Sequence, residues 1–158
     1  MRNKTPLDGM VSIGNFALCP GATAMNPVEP LPQDWCESVI RILNKGVPTQ
    51  IRWSLRARQD WQQFGMPYDA FSRLAKTLQQ PGIWGERVIG MIPLPDPPKN
   101  AGSQVVYGFL SPHPLGGPKP LYAKIGLFAD KITIDLFSLH IDLTGDLARR
   151  IAKAQQRP

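Results

Sequence analysis

Cysteine, histidine and long apolar runs are scarce in this chain of 158 residues, and each scarcity excludes a class of protein. The two cysteines, Cys19 and Cys36, cannot form a disulfide framework, and with two scattered histidines they provide no metal-binding set. No apolar run approaches the roughly 20 residues of a membrane-spanning helix. The first residues lack the basic segment and apolar core of a signal peptide, so we expect a cytoplasmic protein with free thiols.

Charge is also sparse, but it is unbalanced. Charged residues make up 19% of the chain, below the usual share of about a quarter. The 18 lysines and arginines outnumber the 12 aspartates and glutamates, which gives a net charge of +6. A positive balance favours anionic partners such as RNA, DNA or an acidic protein.

Several catalytic motifs are absent. The sequence contains no phosphate-binding loop, no dinucleotide-binding glycine turn and no nucleophile elbow. Its carboxylates are dispersed, which argues against two-metal nuclease chemistry. We therefore expect neither a cofactor nor a metal ion.

Proline content and periodicity divide the chain into two parts. Residues 1–32 are rich in proline and show no sustained periodicity, which predicts an N-terminal arm. Residues 33–158 have the size and pattern of a single domain. Apolar residues at helical spacing predict helices over 33–45, 54–64, 68–79 and 144–155.

Alternation of apolar and polar residues predicts four strands, over 86–92, 103–110, 121–128 and 131–140. A short turn joins the last two, so they form an antiparallel hairpin. Segregated helices and strands indicate an α+β fold. We expect an antiparallel four-stranded sheet with the helices packed on one face.

The alternation in the hairpin also predicts which side chains face the helices. The apolar sets are Leu121, Ala123, Ile125 and Leu127 on one strand and Ile132, Ile134 and Leu136 on the other. Burying both sets leaves an open face formed by Tyr122, Lys124, Thr133, Asp135 and Phe137. Bases stack on aromatic rings and lysine binds phosphate, so this face is a candidate RNA surface. The alternative interpretation is an ordinary solvated sheet face.

Cations and histidines supply further candidate contacts with RNA. The basic candidates are His113, Lys119 and Lys124, in the span 97–129 without any acidic residue, and Arg56 and Arg58 in the second predicted helix. Histidine exchanges protons near neutral pH, which makes His113 and His140 candidates for acid–base catalysis. Surface solubility explains the same charges equally well.

A series of short motifs between Val39 and His140, about two-thirds of the chain, matches a known family. In order, they are VIRILNKG, IRWSLRARQDWQQFGM, AFSRLAKTL, IWGERV, VVYGFL, LYAKIGL and ITIDLFSLHID. The pattern LYAKI, followed by an aliphatic strand with Phe137, carries most of the likeness. The segment resembles the motility-quorum-sensing-regulator toxins, within the wider RelE-like group of bacterial ribonuclease toxins.

The resemblance implies a RelE-like fold and a metal-independent endoribonuclease that cleaves mRNA and is neutralised by an antitoxin protein. Tyr122 matches a tyrosine of the family's active site. The family's catalytic lysine after the third helix has no counterpart in LQQPGIWGE, and its basic strand end is replaced by FSLHID, which offers His140. We therefore expect Tyr122 and His140 to be the acid–base pair. The RNA contacts would be Arg56, Arg58, His113, Lys119 and Lys124.

A non-catalytic module is the competing interpretation. In that case the chain binds nucleic acid or a partner protein without cleaving RNA, and the arm over 1–32 orders on the partner. The sequence carries no prediction of the oligomeric state.

Overall fold

The computed structural model describes residues 26–157, which form one six-stranded sheet and four helices. The strands are β1 (Val28–Pro30), β2 (Ile51–Trp53), β3 (Trp84–Val88), β4 (Gln104–Ser111), β5 (Leu121–Phe128) and β6 (Ile134–Ile141). The helices are α1 (Gln33–Lys45), α2 (Leu55–Trp61), α3 (Pro67–Leu78) and α4 (Asp146–Gln155). Residues 1–25 of the expected arm lie outside the described residues.

The sheet is mixed, with its strands in the order β1-β3-β4-β5-β6-β2. Every neighbouring pair is antiparallel except β2 and β6, which run parallel. The expected sheet of four antiparallel strands is therefore wrong. The two additional strands have three residues each, too short to show an alternating pattern, and β1 lies within the segment that sequence analysis assigns to the arm.

The helices cover both faces of the sheet, so the expectation that they share one face is also wrong. Helices α1, α2 and α3 contact β4, β5 and β6 and bury the main apolar core. Helix α4 contacts β1, β3 and β4, and its Arg150 meets side chains on the opposite face. Within residues 26–157, no helix has the length and apolar character needed to cross a membrane.

Apolar spacing explains why α1 forms and where it packs. Trp35 and Leu43 lie on one buried stripe of the helix, and the Trp35 ring meets the Tyr107 ring of β4 edge-on at 5.2 Å. Gly46 ends the helix with a φ of 63°, a conformation that glycine adopts without steric cost. The helix predicted over 33–45 is confirmed.

The alternation in the hairpin predicts the buried side chains of β5 correctly and those of β6 only in part. Leu121, Ala123, Ile125 and Leu127 are all buried in the core with α1 and α3. Ile132 is 54% exposed, because the strand begins two residues after it. Thr133, Asp135 and Phe137 are buried rather than on an open face, whereas Tyr122 and Lys124 keep partial exposure.

A buried ion pair explains why Asp135 and its neighbours are covered on the sheet face that also carries Tyr122 and Lys124. Arg52 of β2 donates to the Asp135 carboxylate of β6, with its Nε 2.6 Å from Oδ1. The same carboxylate accepts hydrogen bonds from the Leu94 backbone and from Gln104. Arg52 also donates to the carbonyl oxygens of residues 94–96. These bonds hold the loop between β3 and β4 over the sheet.

Substitution of Asp135 by Asn tests whether this ion pair holds β2 in place. We expect Asp135→Asn to lower the free energy of unfolding by about 3 kcal/mol, because it leaves a mostly buried guanidinium without its counter-charge. The control is Asp60→Asn, which breaks the exposed Arg56–Asp60 pair and should cost less than about 1 kcal/mol. Urea unfolding measures both, and equal losses would contradict this role.

Candidate functional site

Tyr122 and His140 lie together, as the sequence predicts for an active site. They are opposite each other on β5 and β6, with ring centroids 5.5 Å apart and planes tilted by 35°. Both line an open cavity of about 400 Å³ between the sheet and α4, here named the Tyr122–His140 pocket. The other lining residues are Glu86, Ile141, Asp142, Leu143, Thr144, Asp146, Leu147 and Arg150.

A buried carboxylate, Glu86 of β3, organises the floor of the pocket. Its Oε2 accepts a hydrogen bond of 2.7 Å from the Tyr122 hydroxyl, and its Oε1 accepts one of 2.8 Å from Arg150. Burial by itself would raise the pKa of Glu86. The hydrogen bonds from Arg150 and Tyr122, with the charge of Arg150, outweigh burial and hold that pKa below its ordinary value of 4.5.

The Tyr122 hydroxyl is a fixed hydrogen-bond donor. Burial raises its pKa well above the ordinary value of 10.0, and the hydrogen bond to Glu86 and the charge of Glu86 raise it further. The phenol therefore keeps its proton at neutral pH and directs it to Glu86. This arrangement suits a residue that positions its neighbours better than one that transfers protons.

His140 presents an exposed ring at the mouth of the pocket. Its Nδ1 lies 3.0 Å from the Ile141 carbonyl oxygen. A carbonyl only accepts hydrogen bonds, so Nδ1 carries the hydrogen in this contact and Nε2 of the neutral ring holds a lone pair. Asp142 lines the same pocket and accepts hydrogen bonds from Thr144. His140 is thus the pocket residue best placed to exchange a proton with a bound molecule.

Two of the predicted basic residues lie near the pocket, although neither lines it. Lys124 follows Tyr122 on the same face of β5 and lies opposite Ser138. The Lys119 ammonium donates to the Leu143 carbonyl oxygen at 3.3 Å, in the loop that forms one wall. Lys119 thus contacts the wall of the pocket, and Lys124 shares a strand face with Tyr122.

The other three predicted contacts lie elsewhere. Arg56 and Arg58 belong to α2, whose buried side packs in the core on the opposite face of the sheet. Arg56 pairs with Asp60, and Arg58 lies over the Trp53 ring at 5.1 Å. His113 meets the Phe64 ring edge-on at 5.8 Å. The structure does not bring these three residues to the Tyr122–His140 pocket.

Sequence reasoning misses Glu86 and Arg150. A glutamate within the strand-like sequence ERVIGMI is a signal, since a charged residue in an apolar strand needs a partner when it is buried. Arg150 pairs with Asp146 four residues earlier on α4, which is ordinary for an exposed helix. No local pattern indicates that Arg150 also reaches Glu86.

Negative charge predominates inside the pocket itself. Glu86, Asp142 and Asp146 line it, and Arg150 is bound to two of these carboxylates. Burial would lower the pKa of Arg150, but the hydrogen bonds from its guanidinium to Glu86 and Asp146 raise it. Among residues 26–157, no group of three or more His, Cys, Asp and Glu side chains is arranged to hold a metal ion.

A glycine on the central strand makes the Tyr122–Glu86 hydrogen bond possible. Glu86 lies opposite Gly108 of β4, while Tyr122 lies opposite the next residue on that face, Leu110. The phenol must therefore lean diagonally across Gly108 to reach the carboxylate. A Cβ atom at Gly108 would overlap the Tyr122 hydroxyl.

Gly108→Ala tests this geometry through a double-mutant cycle with Tyr122→Phe. We expect Gly108→Ala to cost about 1–3 kcal/mol of unfolding free energy, because the ring must turn away from Glu86. Tyr122→Phe should cost about 1.5–3 kcal/mol, the range for a hydrogen bond to a charged group. Both act on one contact, so urea unfolding of the double variant should show a loss smaller than the sum. Additive losses would contradict the geometry.

Comparison of the chain with protein-family models, with curated proteins and with solved structures finds no match. The chemistry of the pocket and the charges around it are therefore the basis for assigning a function.

Proposed function

We propose that the chain is a metal-independent endoribonuclease that cleaves single-stranded RNA at the Tyr122–His140 pocket. The observation that carries the proposal is the exposed His140 ring beside Tyr122, with no hydrogen bond to its Nε2 from the described part of the chain and with Lys119 and Lys124 on neighbouring segments. The resemblance of LYAKIGL to the motility-quorum-sensing-regulator toxins supports the same reaction.

In the proposed reaction, the 2′-oxygen of a ribose attacks the adjacent phosphorus while His140 Nε2 takes the 2′-hydroxyl proton. The bond from phosphorus to the 5′-oxygen breaks, and that oxygen takes a proton from solvent. The products are a 2′,3′-cyclic phosphate and a 5′-hydroxyl. Lys124 and Lys119 stabilise the charge that develops on the non-bridging oxygens. Tyr122 acts as a positioning residue, because its hydroxyl is bound to Glu86.

The proposal includes the biological setting that the resemblance implies. The target is mRNA in the cytoplasm, and the partner is an antitoxin protein that neutralises the chain. Lys124 and Lys119 are the basic residues that approach the target. Arg56 and Arg58 are too far around the sheet to touch the same phosphate, because α2 packs on its other face.

A second candidate function is RNA binding without cleavage. The specific observation in its favour is that Glu86 accepts the hydrogen bonds of both the Tyr122 hydroxyl and Arg150, so neither group is free to act on RNA. Asp142 and Asp146 add negative charge to the pocket. His140 and the carboxylates of Asp142 and Asp146 share this pocket, so the groups that would contact an RNA phosphate there include two negative charges. In this case the lysines bind phosphate and His140 takes no part in any reaction.

An RNA-cleavage assay in excess EDTA tests the proposal. We expect the full chain to cleave a labelled single-stranded RNA, and His140→Ala to lower the rate at least about 100-fold, as loss of a general base does. Asn44→Ala, an exposed substitution on α1, should leave the rate unchanged. A substrate with 2′-deoxyribose at the cleaved position should resist cleavage, because it lacks the attacking oxygen.

Two outcomes would contradict the proposal. Full activity in His140→Ala, purified in the same way, would show that His140 is not the base. No cleavage by the full chain, with a mobility shift that weakens as salt rises, would support the non-catalytic function instead.

A further inference from the structure

A second concave surface lies on the side of the sheet that carries α2 and α3. A groove of about 760 Å³ runs between α3, the end of α2 and the loop over 112–114, and is named here the α3 groove. Its volume is in the range of small-ligand sites in proteins. The lining residues relevant to binding are Phe64, Tyr68, Ser72, Arg73, Lys76 and Gln80.

The spacing of residues along α3 creates this surface. Tyr68, Ser72 and Lys76 recur every four residues and so lie on one face of the helix. The opposite face carries Phe71 and Leu74, which are buried in the core. The apolar face packs the helix in the core, and the polar and aromatic face lines the groove.

The groove contains cations without carboxylate partners among residues 26–157. Arg73 Nε is buried and has no hydrogen-bond partner in that part of the chain, while its Nη2 reaches only the Pro114 carbonyl at 3.4 Å. Lys76 is exposed in the last turn of α3. Asp69 also lines the groove, but its Oδ2 accepts the Met66 N–H at 2.9 Å. Neither cation is neutralised by these contacts, so an anion in the groove would pair with the Arg73 guanidinium and the Lys76 ammonium.

Aromatic rings stand beside these cations. Tyr68 is 65% exposed, which is high for an aromatic residue, and Phe64 is half-buried. A planar base stacks on such rings while its phosphate meets the cations. An acidic peptide would use the cations and leave the exposed Tyr68 ring without a role. The combination therefore favours a nucleotide.

We propose that the α3 groove binds one nucleotide of single-stranded RNA, with the base against Tyr68 and Phe64 and the phosphate at Arg73 and Lys76. The inference rests on the proposed function in taking RNA as the ligand. The loop over 112–120 connects the two sites. His113 in this loop packs on Phe64, and Lys119 contacts the wall of the Tyr122–His140 pocket. An RNA strand that follows the loop can occupy both.

Binding of an RNA that cannot be cleaved tests this inference. The probe is a fluorescein-labelled single-stranded oligonucleotide of about ten nucleotides with 2′-O-methyl riboses, and fluorescence anisotropy measures its affinity for the full chain. Tyr68→Ala should weaken binding at least about fivefold through lost stacking, and Tyr68→Phe should retain it. Tyr68 is exposed, so neither substitution disturbs the core.

Lys76→Ala tests the phosphate contact, with Lys45→Ala as its matched control. Both lysines lie in the last turn of a helix and are exposed. Lys76→Ala should make the slope of log affinity against log salt shallower by about 0.7, the value for one phosphate contact on a single strand. Lys45→Ala should leave both the affinity and the slope unchanged.

The outcomes separate this inference from the ribonuclease proposal. Weaker binding by Tyr68→Ala and Lys76→Ala supports the groove even if the chain cleaves no RNA. Unchanged affinity in these variants overturns the groove even if the chain is a ribonuclease. Competition by a polyglutamate peptide that is as strong as competition by unlabelled RNA would assign the groove to an acidic protein and overturn the nucleotide assignment.

Discussion

The hydrogen-bonded carboxylate of Glu86 is the interaction on which the candidate site depends. It joins the hydroxyl of Tyr122 on β5 to the guanidinium of Arg150 on α4, and so ties a central strand to that helix. Gly108 leaves the space that the phenol needs. The Tyr122 ring lies beside that of His140, its cross-strand neighbour, so the fixed phenol forms one side of the space around the histidine.

The sequence predicts the elements whose patterns are long and regular. The helix over 33–45 and the strand over 121–128 follow from apolar spacing, and both are observed at those bounds. Strand β2 escapes prediction because three residues show no period, and its parallel pairing with β6 rests on the distant contact between Arg52 and Asp135. The residues of the candidate site are likewise predicted only where a local pattern carries them. The alternation places Tyr122 and Lys124 on one face, whereas the approach of Arg150 to Glu86 spans 64 residues and leaves no local trace.

The cations of the two candidate sites belong to different sides of the sheet. Lys119 and Lys124 lie near the Tyr122–His140 pocket, while Arg73 and Lys76 line the α3 groove on the other side. The proline- and glycine-rich loop over 112–120 passes between them and contacts both sides. A single strand of RNA is flexible enough to follow this path, and a double helix is not. The proposed ligand, single-stranded RNA, could follow such a path.

Whether RNA occupies the pocket beside His140 is tested most directly by proton NMR. The chain has only two histidines, so the ring C–H signals are few, and the His140→Ala variant assigns them. We expect the His140 signal to shift and saturate as a 2′-O-methyl oligonucleotide is added. A His140 signal that stays unchanged while the oligonucleotide is fully bound would show that RNA does not occupy the pocket.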